Sequence, residues 1–207
     1  MKILVACEES QAVCKAFRKQ GHESYSCDIQ DCSGGHPEWH IKGCALKEAY
    51  SGKYDMLIAF PPCTFLSVVG APHLYKGGKI NLVRHSKGMA ARAFFMALYN
   101  APIKHISIEN PTPMKCFNLP DYSQAIQPYM FGHPFLKRTL LWLKNLPPLK
   151  PTNVVDNPVS TSKANWFNKG GKNRQKNRSK TFLGIADAMS IQWSNPIWEE
   201  QLTLFDL

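Results

Sequence analysis

Short apolar runs alternate with helix-like segments along the first part of the chain. Residues 2–6 (KILVA) are continuously apolar, which is typical of a strand buried on both faces of a sheet. An amphipathic helix is predicted next, with Ser10 as its N-cap and Gly21 as its stop. A second strand is predicted for residues 23–29 (ESYSCDI). Strand, helix and strand in this order predict the opening of a doubly wound, mostly parallel α/β sheet.

The same pattern continues to about residue 111. Two further strands and one long amphipathic helix are predicted: 54–60 (YDMLIAF), 104–111 (KHISIENP) and 81–100. Asp28, Cys63 and Glu109 each lie at or just beyond the carboxyl end of a predicted strand. Ligands of open α/β sheets bind outside the carboxyl ends of the strands. We therefore expect these three side chains to lie near one site.

The pattern changes beyond residue 120. Residues 124–132 and 137–144 are predicted to be extended and to form a possible pair, and a last helix is predicted to begin near Gly184. We divide the chain into a cofactor-binding and catalytic core, a small basic appendage, a helix that returns to the core, and a C-terminal tail. The predicted ranges are 1–120, 121–180, 181–196 and 197–207.

The appendage ends in a strongly basic segment. From Asn157 to Ala186 the chain has no acidic residue, and Gly170-Gly171 lies in the middle of a run of cations. Such a segment is either a solvated surface loop or a phosphate-binding loop. The residues expected to contact nucleic acid are Lys163, Lys172, Arg174, Lys176, Arg178 and Lys180.

Composition favours a polyanionic partner. The formal net charge is +10, from 25 Lys and Arg against 15 Asp and Glu, which favours nucleic acid over a membrane surface. The first residues (MKILVACEES) are too soon acidic for a signal peptide, and we expect no membrane-spanning segment. Seven cysteines at irregular spacing fit a reducing compartment, so we expect a cytoplasmic protein without a disulfide framework.

The Pro61-Pro62-Cys63 sequence predicts a stiffly held thiol, because each proline fixes its own φ and restrains the residue before it. A thiolate can attack carbon 6 of a pyrimidine when an acid engages ring nitrogen 3 and a cation stabilises the developing charge. Carbon 5 then becomes nucleophilic enough to accept a methyl group. Cys63, Glu109 and either Lys137 or Arg138 would supply these parts.

Four segments resemble the DNA cytosine-5 methyltransferases, and most closely the short phage and prophage proteins of that family. FPPCTFLS resembles the family's nucleophile loop, IENP its Glu-Asn motif, LKRTLLWL its later basic motif, and TFLGIADAM its final helix over the cofactor. The resemblance implies S-adenosylmethionine as cofactor and DNA as substrate, with the target base flipped out of the stack. It also implies that Asp28 holds the ribose hydroxyls. The cofactor-binding residues it suggests are Cys7, Glu8, Ser10, Asp28, Ile29, Phe60, Pro61 and Ile185.

The chain departs from the larger members of that family in three places. The first loop, ACEESQA, has no glycine, and Cys44 stands where an acid often faces the adenine. A large target-recognition domain is absent, so we expect short or relaxed sequence specificity. Two alternatives therefore stay open: modification of RNA or of a free pyrimidine nucleotide, and a non-catalytic protein on the same fold that binds DNA or the sliding clamp.

Two further patterns suggest partners or ligands. The cluster Cys27, Cys32, His36, His40 and Cys44 offers soft metal ligands, but it lacks the paired spacing of most zinc sites, and we predict no metal. The chain ends EEQLTLFDL, which resembles the peptide by which bacterial replication and repair proteins dock on the sliding clamp. Its expected contact residues are Gln201, Leu202, Leu204 and Phe205. The alternative is an ordinary terminal segment that packs on the protein's own core.

Overall fold

The structure is a computed structural model that describes residues 1–161 and 180–194. Eleven strands lie within these residues: β1 Lys2–Ala6, β2 Glu23–Asp28, β3 His40–Lys42, β4 Met56–Ala59, β5 Tyr75–Lys76, β6 Lys79–Ile80, β7 His105–Asn110, β8 Gln124–Ile126, β9 Phe135–Leu136, β10 Thr139–Lys144 and β11 Val159–Ser160. The α-helices of the same residues are α1 Ala12–Lys19, α2 Ala45–Ala49, α3 Ala71–Leu74, α4 Leu82–Tyr99 and α5 Leu183–Trp193. None of them is long and apolar enough to span a bilayer.

Seven of these strands form one sheet in the order β3-β2-β1-β4-β7-β10-β8. The first five run parallel, and β10 runs antiparallel to both β7 and β8. The parallel part follows the order 3-2-1-4-5 that is typical of doubly wound sheets. The predicted fold class, a mostly parallel doubly wound α/β sheet, is confirmed.

The central strands are apolar along their whole length because helices cover both faces of the sheet. On one face, Leu4 and Leu57 pack in a cluster with Phe95 of α4. On the other face, Ile3 packs in a cluster with residues of α1 and α5, among them Trp193. Both faces are therefore buried, and the binding edge must lie at the ends of the strands.

The predicted start of α1 needs correction. The helix begins at Ala12, its N-cap residue is Gln11, and no capping hydrogen bond comes from that side chain. The carboxylate of Glu8 instead accepts hydrogen bonds from the backbone N–H groups of Val13, at 2.7 Å, and Cys14, at 3.2 Å. Ser10 therefore does not cap the helix. The longer side chain of Glu8, four residues before the first residue of α1, takes that role.

The boundary predicted at residue 120 also needs correction. β8 and β10 come from the predicted appendage, yet they pair with each other and extend the central sheet beyond β7. Leu140 and Trp142 of β10 are buried in the same cluster as β1 and β4. Residues 124–144 thus belong to the core domain, because apolar side chains of β10 are part of its hydrophobic cluster. The predicted pairing of the two extended segments is confirmed.

Candidate active site

The order of the sheet reverses between β1 and β4, and this reversal places a crevice at their carboxyl ends. Cys7 follows β1, and the segment Phe60 to Cys63 follows β4. Asp28 ends β2, while Glu109 is the next-to-last residue of β7. The structure therefore brings the ends of these four parallel strands to one edge, as the sequence predicted from their positions.

The turn that presents Cys63 is held from both sides. Asn110, which is buried, donates a hydrogen bond from Nδ2 to the carbonyl oxygen of Pro61 at 3.2 Å. On the other side, the carbonyl oxygen of Cys63 accepts hydrogen bonds from the backbone N–H groups of Leu66 and Ser67, both at 3.0 Å. Cys63 is half-buried and forms no disulfide. The thiol is thus carried on a backbone that β7 fixes directly.

A cleft beside this turn contains the acid. Glu109 lies at its wall, and burial raises the pKa of this carboxyl above its ordinary value of 4.5. The positive charge of Lys137 and a hydrogen bond from the Thr139 side chain act in the opposite direction. The described residues that line the cleft are Phe60, Glu109, Lys137, Thr139, Lys180, Thr181, Phe182, Ile185 and Met189.

The structure distinguishes the two candidate cations. Lys137 is half-buried, lines the cleft and lies with its Nζ 5.8 Å from the centre of the Phe182 ring. Arg138 is exposed and points to a different group of residues. Its Nη2 donates to the Tyr122 hydroxyl at 2.9 Å, and its Nη1 lies 3.5 Å from Oγ1 of Thr112. Lys137 is therefore the cation that faces Glu109.

Helix α5 closes the cleft and has an unusual N-terminus. The ring Nε2 of His133 accepts a hydrogen bond from the backbone N–H of Gly184 at 3.0 Å, which requires a neutral ring. Burial lowers the pKa of His133, and this shift favours the same neutral form. A Cβ atom at Gly184 would overlap the carbonyl oxygen of Phe131, so only glycine allows the helix to approach this closely. Ile185, a predicted cofactor contact, is thereby placed on the cleft wall.

The first loop turns without glycine. Cys7 and Gln11 both have left-handed backbone conformations, with φ of 59° and 57°. Glu8 is buried beneath the loop, and burial raises the pKa of its carboxyl to about 7 although two backbone N–H groups act in the opposite direction. Both carboxylate oxygens of Glu8 are used at the N-terminus of α1. Glu8, which the sequence suggested as a cofactor contact, therefore caps α1 instead.

The occupied N-terminus of α1 restricts the ligand class. In dinucleotide-binding sheets the corresponding helix N-terminus holds the pyrophosphate. Here the carboxylate of Glu8 takes the same backbone donors, Val13 and Cys14. A phosphate group would have to displace the Glu8 carboxyl from these donors. A cofactor without phosphate is compatible with this arrangement.

One carboxylate oxygen of Asp28 is available to a ligand. Its Oδ1 accepts a hydrogen bond from the Gln30 backbone at 2.9 Å, and within the described residues its Oδ2 makes none. The carboxylate is half-buried at the end of β2, beside Cys7, whose thiol pKa is raised to about 12, chiefly by burial. Ile29 is exposed next to it. Hydroxyl groups of a sugar could donate to this oxygen.

The residues of the zinc alternative have other partners. Sγ of Cys27 lies 3.7 Å from the carbonyl oxygen of Gly43, and His40 contacts Ser26 and the Gln30 backbone. His36 stacks on Trp39 with ring centres 3.8 Å apart. In the described part of the chain, no three side chains are grouped in a way that could hold a metal ion.

Several predicted contact residues lie outside the described ranges. These are the five cations of the basic segment before residue 180 and the whole C-terminal peptide: Lys163, Lys172, Arg174, Lys176, Arg178, Gln201, Leu202, Leu204 and Phe205. Lys180 is described, and it lies exposed at the edge of the cleft.

Three described residues of the site were not predicted from the sequence as site residues. Thr139 is buried beside Glu109, Met189 lines the cleft from α5, and His133 holds the start of that helix. Alternation along an extended chain could have indicated Thr139, because it lies two residues after Lys137 and so on the same face. No local pattern marks His133, whose role depends on a contact with a helix 51 positions away.

Comparison with known proteins gives a weak likeness to solved structures. No family model matches the chain, and no curated protein matches it. One solved structure, a proposed DNA modification methyltransferase encoded within an E. coli prophage, aligns with a TM-score of 0.45 and 12% sequence identity. The alignment covers 80% of this chain and 54% of that one, so this chain spans about half of the neighbour's length. A likeness at this score does not establish a shared activity.

Proposed function

We propose that the protein transfers a methyl group from S-adenosylmethionine to carbon 5 of cytosine in DNA through a covalent bond to Cys63. The observation that supports this most is the pairing of a buried acid with a rigid thiol turn. Glu109 faces Lys137 across one cleft, and the neighbouring residue Asn110 binds the backbone of the turn that carries Cys63. The acid and the nucleophile are therefore positioned by consecutive residues of one strand.

The cofactor fits the residues present. Asp28 has a carboxylate oxygen available for ribose hydroxyls, and Phe60 and Ile185 offer apolar surface. The use of Glu8 at α1 disfavours phosphate-containing cofactors but leaves a sulfonium compound acceptable. S-adenosylmethionine supplies the methyl group when bound.

In this mechanism, each residue acts on the pyrimidine ring. The Cys63 thiolate forms a bond to carbon 6 while protonated Glu109 donates to ring nitrogen 3, so the electron pair moves towards carbon 5. The raised pKa of Glu109 suits a carboxyl that must hold a proton. Once carbon 5 carries the methyl group, a water molecule or hydroxide ion from solvent takes its proton. The electron pair of that C–H bond reforms the double bond between carbons 5 and 6 as the Cys63 thiolate leaves, and ring nitrogen 3 returns its proton to Glu109.

A covalent trap tests the proposal. Fluorine at carbon 5 cannot leave as a proton does, so DNA with 5-fluorocytosine should become attached to the parent protein when the cofactor is added. Cys63→Ser should form no adduct, while Cys116→Ser, a change at an exposed thiol outside the cleft, should react like the parent. Methyl transfer at the parent's rate by Cys63→Ser would refute the assignment. RNA and free nucleotides, tested alongside, distinguish the alternative substrates.

A non-catalytic DNA-binding protein is the second candidate, and the packing around the first loop favours it. The backbone of Gly34 packs so closely on Ser10 and Gln11 that a Cβ at Gly34 would lie 2.5 Å from Gln11 Cβ. Ser33 is also hydrogen-bonded to Glu9. Two segments beside the expected cofactor site are thus joined. Titration calorimetry with S-adenosylmethionine decides between the candidates, because only the enzyme requires binding.

A further inference from the structure

A long acid-free stretch surrounds the nucleophile turn. Between Asp55 and Glu109 the chain contains no Asp or Glu. The cations of this stretch are Lys76, Lys79, Arg84, Lys87, Arg92 and Lys104. In the described structure, a local excess of positive charge therefore follows directly after Cys63.

The part of this stretch nearest Cys63 forms a small lobe, here called the 64–87 lobe. It contains α3, the antiparallel hairpin of β5 and β6, and the first turns of α4. Three large apolar side chains on it are strongly exposed: Val69 at 75%, Leu82 at 77% and Val83 at 69%. Scattered apolar residues are common on surfaces, but three on one small basic lobe indicate a contact surface.

Arg84 joins these parts into one unit. Its Nη2 donates to the carbonyl oxygen of Thr64 at 3.0 Å and lies against Gly70, the residue after Val69. Its guanidinium also lies 5.1 Å from the centre of the Phe65 ring. Nε of Arg84 is buried and, in the described part of the chain, has no hydrogen-bond partner. Arg84 therefore links the start of α4 to the residue after Val69 and to the residues that follow Cys63.

We propose that the 64–87 lobe is a docking surface for duplex DNA, in which Lys79 and Lys87 contact phosphates and Leu82 and Val83 contact bases. This inference rests on the proposed function, because it assumes that DNA reaches Cys63. Charge complementarity favours DNA over a protein partner, since the lobe has cations and no acid. Apolar side chains flanked by cations are the combination that wedges between base steps in DNA-bending proteins.

The lobe is also hydrogen-bonded to the backbone of Cys63, the proposed nucleophile. Backbone N–H groups at its start, those of Leu66 and Ser67, donate to the carbonyl oxygen of Cys63. DNA bound to the lobe would therefore contact the segment that carries the nucleophile. Such a surface would provide affinity close to the reacting base.

Two variants of the full chain separate the charge and apolar contributions. Lys79→Gln with Lys87→Gln should weaken binding of a labelled duplex roughly ten- to thirtyfold at 0.15 M salt and reduce the salt slope by about 1.8, since each phosphate contact contributes about 0.9. Leu82→Ser with Val83→Ser should weaken binding roughly tenfold and leave the salt slope unchanged. Fluorescence anisotropy over a range of salt concentrations measures both quantities.

Matched controls exist elsewhere on the surface. Lys19 and Lys47 are exposed cations on α1 and α2, and Lys19→Gln with Lys47→Gln makes the same change in charge. Ile191, on α5, is 55% exposed, and Ile191→Ser is the control for the apolar change. Both controls should bind DNA like the parent. Circular dichroism and melting temperature verify that each variant is folded.

The outcomes are distinguishable from those of the proposed function. Folded lobe variants that bind DNA like their controls, while the parent still methylates DNA, would overturn the lobe assignment alone. Lobe-dependent DNA binding by a parent that forms no covalent adduct would keep the lobe and overturn the enzyme. Two other results would also overturn the lobe assignment: a preference for anionic vesicles over duplex DNA, lost in the same variants, or self-association of the parent through this surface.

Discussion

Glu8 offers a test of what stabilises the N-terminus of α1. Its carboxyl is buried, and burial raises its pKa from 4.5 to about 7. The backbone N–H groups of Val13 and Cys14 and the charge of Lys15 favour the ionised form, but they do not outweigh burial. The folded state therefore prefers a protonated Glu8, whereas the unfolded chain releases the proton near its ordinary pKa.

The sign and size of the effect follow from this difference. Because the folded pKa is the higher one, the stabilisation is fully present below pH 4.5 and is lost as the pH rises through about 7. One pKa unit corresponds to about 1.36 kcal/mol, so the free energy of unfolding should fall by about 3 kcal/mol across this window. Glu8→Gln keeps a neutral acceptor for Val13 and should lack this fall.

Denaturant unfolding of parent and Glu8→Gln between pH 4 and pH 8 measures the effect. The difference between the two proteins isolates Glu8 from every other titrating group. Glu23→Gln is the control: Glu23 is exposed and its pKa is lowered by Lys2 and Tyr25, so its change should act in the opposite direction. A parent that gains stability with rising pH relative to Glu8→Gln would refute the reasoning, because the helix N-terminus would then favour the anion.

Two other predictions concern how the site is held. Gly184→Ala should lower the free energy of unfolding by roughly 1–3 kcal/mol, because the new methyl group overlaps the Phe131 carbonyl. Gly43→Ala adds the same methyl group at an open position and should leave stability unchanged. Thermal unfolding of both variants measures the difference. Asn110→Ala removes the donor to the Pro61 carbonyl and should slow covalent trapping of 5-fluorocytosine DNA while leaving cofactor affinity unchanged in calorimetry. Normal trapping by Asn110→Ala would mean that the turn is rigid without it.

The local pattern of the sequence predicted most of the parallel sheet. Continuous apolar runs bounded by polar residues can be recognised without tertiary information, and the carboxyl ends of parallel strands necessarily meet at one edge. Asp28, Cys63 and Glu109 could therefore be assigned to a common edge before the structure was known.

Long-range pairing could not be predicted in the same way. β10 inserts antiparallel between β7 and β8. Its pairing with β8 was expected because the two segments are close in sequence, but nothing in residues 139–144 indicates that β7 is its other neighbour. The roles of Glu8 and Ser10 were assigned from their place after β1, but the helix begins one residue later than expected and is capped by the longer side chain of Glu8. Capping by a residue outside the local motif depends on the path of the loop, which the sequence pattern does not specify.

Glu8 and Glu109 show why a raised carboxyl pKa does not by itself identify a catalytic acid. Burial is the largest cause for both residues. The neighbours of Glu8 are backbone N–H groups of its own helix, so its carboxylate already has its partners within the fold. The neighbours of Glu109 are the side chains of Lys137 and Thr139, and all three line the same cleft. The groups that surround a buried acid therefore decide what role can be proposed for it: Glu8 caps α1, whereas Glu109 is the residue that we propose as the catalytic acid.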